Sequence, residues 1–186
     1  MLYVQQSLSP NERLIHIGHF HWMYTVKAVS KAVEGLIGCI LVLILSVYFL
    51  EHYWVYMSRA PYVFHSTNML GKIRELHPGI RLLAFFIFLM GLLGFAQMMV
   101  IKATTEIAVT NSRIIYKRGL VARYVGEMSV DRIESINVLQ SIWGRVFGYG
   151  RLLIHGMGVG EVILPPIADP ILFRKAIEKA RSIPST

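Results

Sequence analysis

The chain has 186 residues, of which 54% are hydrophobic and only 16% charged, against about 25% charged residues in an ordinary soluble domain, so the composition points to a membrane protein. A single cysteine, Cys39, excludes an internal disulfide framework. The formal charge of +8 is spread evenly: residues 1–102 hold eight Lys/Arg and four Asp/Glu, and residues 103–186 hold eleven and seven. That distribution argues against a basic arm for nucleic acid and for attraction to anionic headgroups, worth about 1 kcal/mol per cation near the surface.

Residues 1–25 contain His16, His19 and His21 in the run HIGHFH. Imidazole is a common zinc ligand, but no cysteine or acidic cluster adjoins these three, and Phe20, Trp22 and Tyr24 are interleaved with them. The segment therefore reads as an interfacial aromatic-histidine stretch ahead of a span. Thirty residues precede the first long apolar run and no small-residue cleavage site follows it, so that run is expected to be an anchor, not a secretory signal.

A first transmembrane helix is expected over 26–56, embedded over 33–54. Its uncharged core, GLIGCILVLILSVYFL (35–50), is shorter than the roughly 20 residues that cross the hydrocarbon, and the flanks complete it. Lys31 and Glu34 can pair three residues apart at one boundary, and His52, Tyr53, Trp54 and Tyr56 suit the headgroup layer at the other. The inter-helix segment, 57–80, carries Arg59, Lys72 and Arg74, with His65 and His77 scattered along it. The second transmembrane helix is expected over 81–102, with the uncharged run LLAFFIFLMGLLGFAQMMVI (82–101) between Arg81 and Lys102. Arg13, Lys27 and Lys31 before the first span, with Lys102, Arg113, Lys117 and Arg118 after the second, favour cytoplasmic termini. Gln97 is the strongly polar side chain within the spans. Read at the depth of Gly35 and Gly38, it is expected to bond across a close helix–helix contact.

Beyond Lys102 the continuous apolar pattern gives way to alternation, and residues 103–183 are expected to form a small β domain. Strands are predicted over 105–110 and 113–119 with a turn at Asn111-Ser112, then over 123–130 and 135–139. SIWGRVFGYG (141–150) reads as a helical turn closed by Gly148 and Gly150. The runs 151–156 and 161–166 form a hairpin across MGVG; glycines 156, 158 and 160 join β-like runs and open no helix, unlike a dinucleotide loop. Asp169 as N-cap and Pro170 at the first helical position start an amphipathic helix with Leu172, Phe173, Ala176, Ile177 and Ala180 as its apolar stripe.

The order Thr110-Asn-Ser-Arg113-Ile-Ile, Lys117-Arg-Gly-Leu120, Met128-x-Val-Asp-Arg-Ile133, Gly144-Arg-Val-Phe-Gly-Tyr-Gly150 and Pro165-Pro166 … Asp169-Pro170 resembles the bacterial pleckstrin-homology-like family over 103–183. More narrowly it is similar to the membrane-flanked (YdbS-like) branch, which the short Pro10-x-Glu12-x-Leu14 also suits. The resemblance implies a strongly bent seven-stranded antiparallel sheet or barrel capped by a C-terminal helix, hence two transmembrane helices plus an α+β domain. It implies no particular activity. The phosphoinositide loop of the eukaryotic relatives is replaced by the tight turn 110–113, which is too short to wrap a polyphosphate.

No nucleophile–base element, metalloprotease motif or phosphate loop is present in the sequence, so no catalytic, cofactor or metal site is expected. Arg113, Lys117, Arg118 and Arg123 fall on the first hairpins and, with Arg145, are the candidate contacts to lipid or a partner; Arg145 is alternatively a carbonyl cap or a partner of Asp131. The expected function is a non-catalytic adaptor at the bacterial inner membrane, binding membrane lipids, a protein partner or a second copy, and no nucleic acid. The alternative is an accessory subunit of a transport or export system, suggested by Gln97 and the small residues near Gly35 and Gly91. A lipid-modifying enzyme would have only the scattered histidines behind it.

Overall fold

The structure is a computed structural model that describes residues 2–53, 64–119, 124–158 and 160–182; Trp54 and Tyr56 of the expected aromatic cluster lie outside them. The elements in chain order are α1 (Leu2–Ser7), β1 (Leu14–Gly18), α2 (Trp22–His52), α3 (Met69–Glu75) and α4 (Pro78–Thr104), then β2 (Glu106–Thr110), β3 (Arg113–Arg118), β4 (Tyr124–Ser129) and β5 (Ile133–Leu139). They are followed by α5 (Ile142–Phe147), β6 (Tyr149–Gly156), β7 (Gly160–Ile163), β8 (Ile167–Ala168) and α6 (Pro170–Ser182). The chain divides into two compact units, Val26–Met98 and the combination of Met1–Thr25 with Met99–Thr186.

In the unit Val26–Met98, α2 and α4 are long and apolar enough to cross a membrane. Their contact rests on small residues. A Cβ added to Gly35 would lie 2.7 Å from the Gly91 Cα, and one on Gly38 would lie 3.0 Å from the Ile87 Cγ2, so the backbones touch at the first site and a side chain fills the second. Ala28 and Ala84, seven residues before each of the paired glycines, are buried on the same faces. Between the helices, the Glu75 carboxylate accepts the backbone N–H groups of His65 (2.8 Å) and Ser66 (2.9 Å) and the Ser66 hydroxyl, while Lys72 pairs with Glu51.

The other unit is a bent pair of antiparallel sheets, β1-β2-β3-β4 and β5-β6-β7, with β8 pairing the start of β6. Seven strands, β2–β8, follow the second long helix as the resemblance implied, and an eighth, β1, precedes both long helices. Residues 14–18 pair with β2 in the register Ile17↔Ala108 and Gly18↔Ile107. Residues 14–18 of the segment 1–25, expected as part of an interfacial stretch, are instead a strand of the β domain: Ile15 and His16 pack inward, and the partner strand lies on the far side of both helices in the sequence. The segment continues across to the second sheet, where Ala168 N–H donates to the His19 carbonyl (2.9 Å) and Phe20 bridges Ile167.

The core fills the space between the sheets with Ile107, Val109, Ile114, Met128, Ile133, Leu152, Ile154 and Leu164, and α6 closes it with Phe173, Ile177 and Ala180. Leu172, expected in that stripe, is exposed, because one 100° step from Phe173 carries it to the edge of the face that Phe173, Ile177 and Ala180 bury. Asp169 stands at the start of α6 with φ of 47° and donates its N–H to the Gly148 carbonyl (2.9 Å). On the opposite face of the first sheet, Ala108 and Ile115 are covered by Val4 and Tyr3 of α1.

Candidate functional site

The basic residues singled out on the first hairpins have different fates. Arg113 is committed inside the domain. Its Nε and Nη2 donate to the two Glu12 carboxylate oxygens at 2.9 Å each, Nη1 to Glu127 (2.7 Å) and Nη2 also to the Ser7 carbonyl (2.6 Å). Glu12 in turn accepts the Ser9 N–H (3.0 Å) and the hydroxyls of Thr110 (2.7 Å) and Ser112 (3.1 Å). Burial alone would raise the Glu12 carboxyl, but the Arg113 bond and the three other donors outweigh it and hold the group at about 2. Lys117 donates to Glu106 (3.2 Å) and lies over the Tyr3 ring. The expectation that Arg113 and Lys117 face lipid or a partner is thus corrected: their charges are spent clamping the N-terminal segment onto the β2–β3 hairpin.

Arg118 ends β3 and is exposed, with no ion pair among the described residues. It lines a cleft of about 300 Å³ together with Arg151 of β6, Tyr24, Ile101, Tyr116 and the Leu164-Pro165-Pro166 segment. The local reasons are plain. Gly119, with φ of 102°, turns the chain off β3 directly after Arg118, and Pro165-Pro166 ends the β7 side of the hairpin. Arg151 alternates with buried Leu152 and Ile154, so the pleat turns it away from the core. Two guanidinium groups therefore share one opening, beside a second cavity of about 490 Å³ reached past Arg118 and Tyr124 and rimmed by Glu161. One hydrogen bond locates this cleft on the chain: Lys102 Nζ, at the end of the uncharged run of α4, donates to Thr25 Oγ1 (2.5 Å), next to Tyr24.

Arg145 on α5 is exposed and pairs with neither Asp131 nor any carbonyl through its side chain among the described residues. Arg123 lies outside the described residues. Gly35 and Gly38 do face α4, whereas Gln97 is exposed and makes no hydrogen bond among the described residues. Six residues at 100° each rotate it about 120° away from Gly91, off the contact face. The histidines form no metal site: among the described residues no three His, Cys, Asp or Glu side chains are placed to hold an ion. His16 meets the Phe173 ring edge-on at 5.6 Å, and burial, with His19 adding to it and Asp169 opposing, lowers its pKa below 6.5. His21 is buried between Trp22 and Tyr149 and accepts the Met23 N–H (3.2 Å).

Arg151 and Tyr24 were not legible as site residues, because their relation to Arg118 is created by the bending of two sheets. The signal for Arg151 is its outward position in an alternating strand.

Two antiparallel sheets of four strands each, closed by a C-terminal helix, define a pleckstrin-homology-like module. The family model of the bacterial PH domain matches residues 24–181, and the chain belongs to that family. The matched region takes in α4 and all but the first two residues of α2, and it begins after β1. No curated protein and no solved structure matches the chain. Domains of this fold are in general non-catalytic.

Proposed function

We propose that this protein is a membrane-anchored, non-catalytic adaptor of the bacterial cytoplasmic membrane, in which α2 and α4 are the anchor and the β domain holds the phosphate of an anionic lipid headgroup in the Arg118–Arg151 cleft. One observation carries the reading: the two exposed arginines line the same opening as Tyr24 and Ile101, beside the Lys102–Thr25 bond at the end of the α4 apolar run. Juxtamembrane basic pockets of this kind suit phosphate headgroups. The β1–β2 pairing supports a return path, since a chain that leaves the domain through α2 must come back through α4. The cations at Lys27, Lys31 and Lys102 favour the cytoplasmic side for the domain and both termini.

The test is lipid retention. The full chain, reconstituted with spin-labelled phosphatidylglycerol or phosphatidylcholine, should hold the anionic lipid preferentially. Arg118→Ala with Arg151→Ala should reduce that preference by about fivefold per arginine. Equal preference in the double variant overturns the headgroup site. A second reading, an accessory subunit of a transport or export system, draws on the exposed Gln97 amide of α4, which suits a helix of another membrane protein. A defined stoichiometric complex with a larger membrane protein, kept by the double variant, would favour that reading.

A further inference from the structure

α5 shows the solvent side what an ordinary surface helix hides. Ile142 is 81% exposed, Val146 68%, Trp143 65% and Phe147 40%. Fraying does not explain this, because both ends of the helix are fastened. The Ser141 hydroxyl accepts the Gly144 N–H (3.1 Å), Gly148 takes the left-handed conformation and returns its N–H to the Gly144 carbonyl, and Gln140 Nε2 donates to the carbonyls of Gly144 (3.4 Å) and Tyr149 (3.2 Å). Gly144 is the buried residue of the helix, and a Cβ there would stand 2.6 Å from the Tyr149 carbonyl. Its small-residue face is thus the one pressed to the domain, and its large apolar face is the one turned out.

We infer that α5 is an interfacial wedge, whose Ile142, Trp143, Val146 and Phe147 enter the headgroup–acyl boundary of the bilayer that α2 and α4 cross. The inference rests on the anchored reading above. Its position follows from a chain of contacts. The Phe147 ring meets Trp22 edge-on at 5.8 Å and stacks on Trp143 at 5.9 Å. Trp22 is the first residue of α2, and three residues later Thr25 receives the Lys102 ammonium that ends the uncharged run 82–101. Three residues of helix are about 5 Å, within the thickness of one headgroup layer. Tryptophan favours that layer, and short apolar helix faces lie about 5–10 Å into it. Arg145, exposed on the same helix, has a phosphate partner there.

A second protein surface fits less well. Two aromatic rings bury about 150–250 Å² each when fully covered. Phe147 is already more than half covered, so the four side chains fall short of the ~800 Å² that each partner brings to a stable interface.

The experiment uses the full chain in nanodiscs containing phosphatidylglycerol, with Trp143 as sole tryptophan (Trp22→Phe, Trp54→Phe). Lipids brominated near the headgroup end of the acyl chain should quench Trp143 more than lipids brominated near the chain terminus. Aqueous acrylamide should quench it several-fold less than a tryptophan at exposed Asp131 (Asp131→Trp) in a background lacking the native three. Quenching by acrylamide alone overturns the inference, and so does protection from both quenchers, which marks a protein-covered face. A tryptophan at Leu93 of α4 (Leu93→Trp), in the same tryptophan-free background, separates the two readings. Lipid quenching at Leu93 but not at Trp143 sinks the wedge and leaves the anchor standing; quenching at neither sinks both.

Discussion

Glu12 is the residue on which the attachment of the N-terminal segment turns. Its carboxylate is 3% exposed, yet it is met by Arg113, two hydroxyls and a backbone N–H, so every oxygen lone pair in reach is used. Replacing it by Gln keeps the shape but leaves the Arg113 guanidinium short of its main counter-charge, a loss of about 2–3 kcal/mol for a charged hydrogen-bond partner that is still partly solvated. The pH dependence has a definite sign. The folded-state value, about 2, lies below the ordinary 4.5, so the unfolded chain binds the proton first. The contribution of Glu12 to stability is therefore complete above about pH 4.5 and is lost as pH falls towards 2. Urea unfolding followed by tryptophan fluorescence at pH 7 and at pH 3 should show Glu12→Gln destabilised at the higher pH and the gap to the native chain narrowed at the lower. Glu106 is depressed too, held against its burial by the Val4 N–H and Lys117, so the acid loss shrinks in the variant without vanishing. An unchanged gap would mean that the carboxylate is not held as described.

At the scale of elements, what was legible in the sequence is what is local. The alternating runs that became β2, β3 and β6, the turn at Asn111-Ser112 and the Pro170 helix start each carry their signal within a few residues. β1 was not legible, because LIHIG sits among histidines and aromatics and its pairing partner is separated from it by two apolar helices. Gln97 was misread for a different reason: depth along a helix was taken as facing, and facing is decided by the 100° step. Arg118 was identified but its partner Arg151 was not, since no spacing in the sequence relates β3 to β6. Gly35 and Gly38 were legible as close-approach residues, and the structure now separates them. The neighbour of Gly35 is the Gly91 backbone at 2.7 Å, whereas the one neighbour of Gly38 is a side-chain methyl, Ile87 Cγ2, at 3.0 Å, where a small shift of one side chain suffices. Gly35→Ala should accordingly destabilise the helix pair by about 1–3 kcal/mol, the usual range for overpacking, and Gly38→Ala by less. Thermal denaturation of both variants in the same detergent checks the order, and equal effects would contradict a backbone contact at Gly35.

For the molecule as a whole, the decisive feature is that a complete β domain requires chain from both sides of the helical pair. β2 would otherwise be left with an open edge, since β1 supplies the partner for Ala108 and Ile107, and Ile15 packs on the core behind it. His19 and Phe20 add a second attachment at β8. Residues 103–186 alone should therefore fail to fold, even though they contain every strand after the second helix. The same geometry says how to make a soluble domain. β1 and β2 are antiparallel neighbours, a pairing that needs no long connection, and Thr25 and Lys102 are hydrogen-bonded to each other. Joining residue 25 to residue 102 through a short Gly/Ser linker removes 26–101, Ile101 of the cleft among them, while keeping the strand pairings and hydrogen bonds of the β domain named above. This chain should be recovered folded, with dispersed amide resonances and a cooperative thermal transition, where 103–186 gives neither. If 103–186 alone folds cooperatively, β1 is dispensable and the domain is independent of the segment ahead of the helices. If the linked chain does not fold, the long helices contribute more to the domain than the two ends that tie them to it.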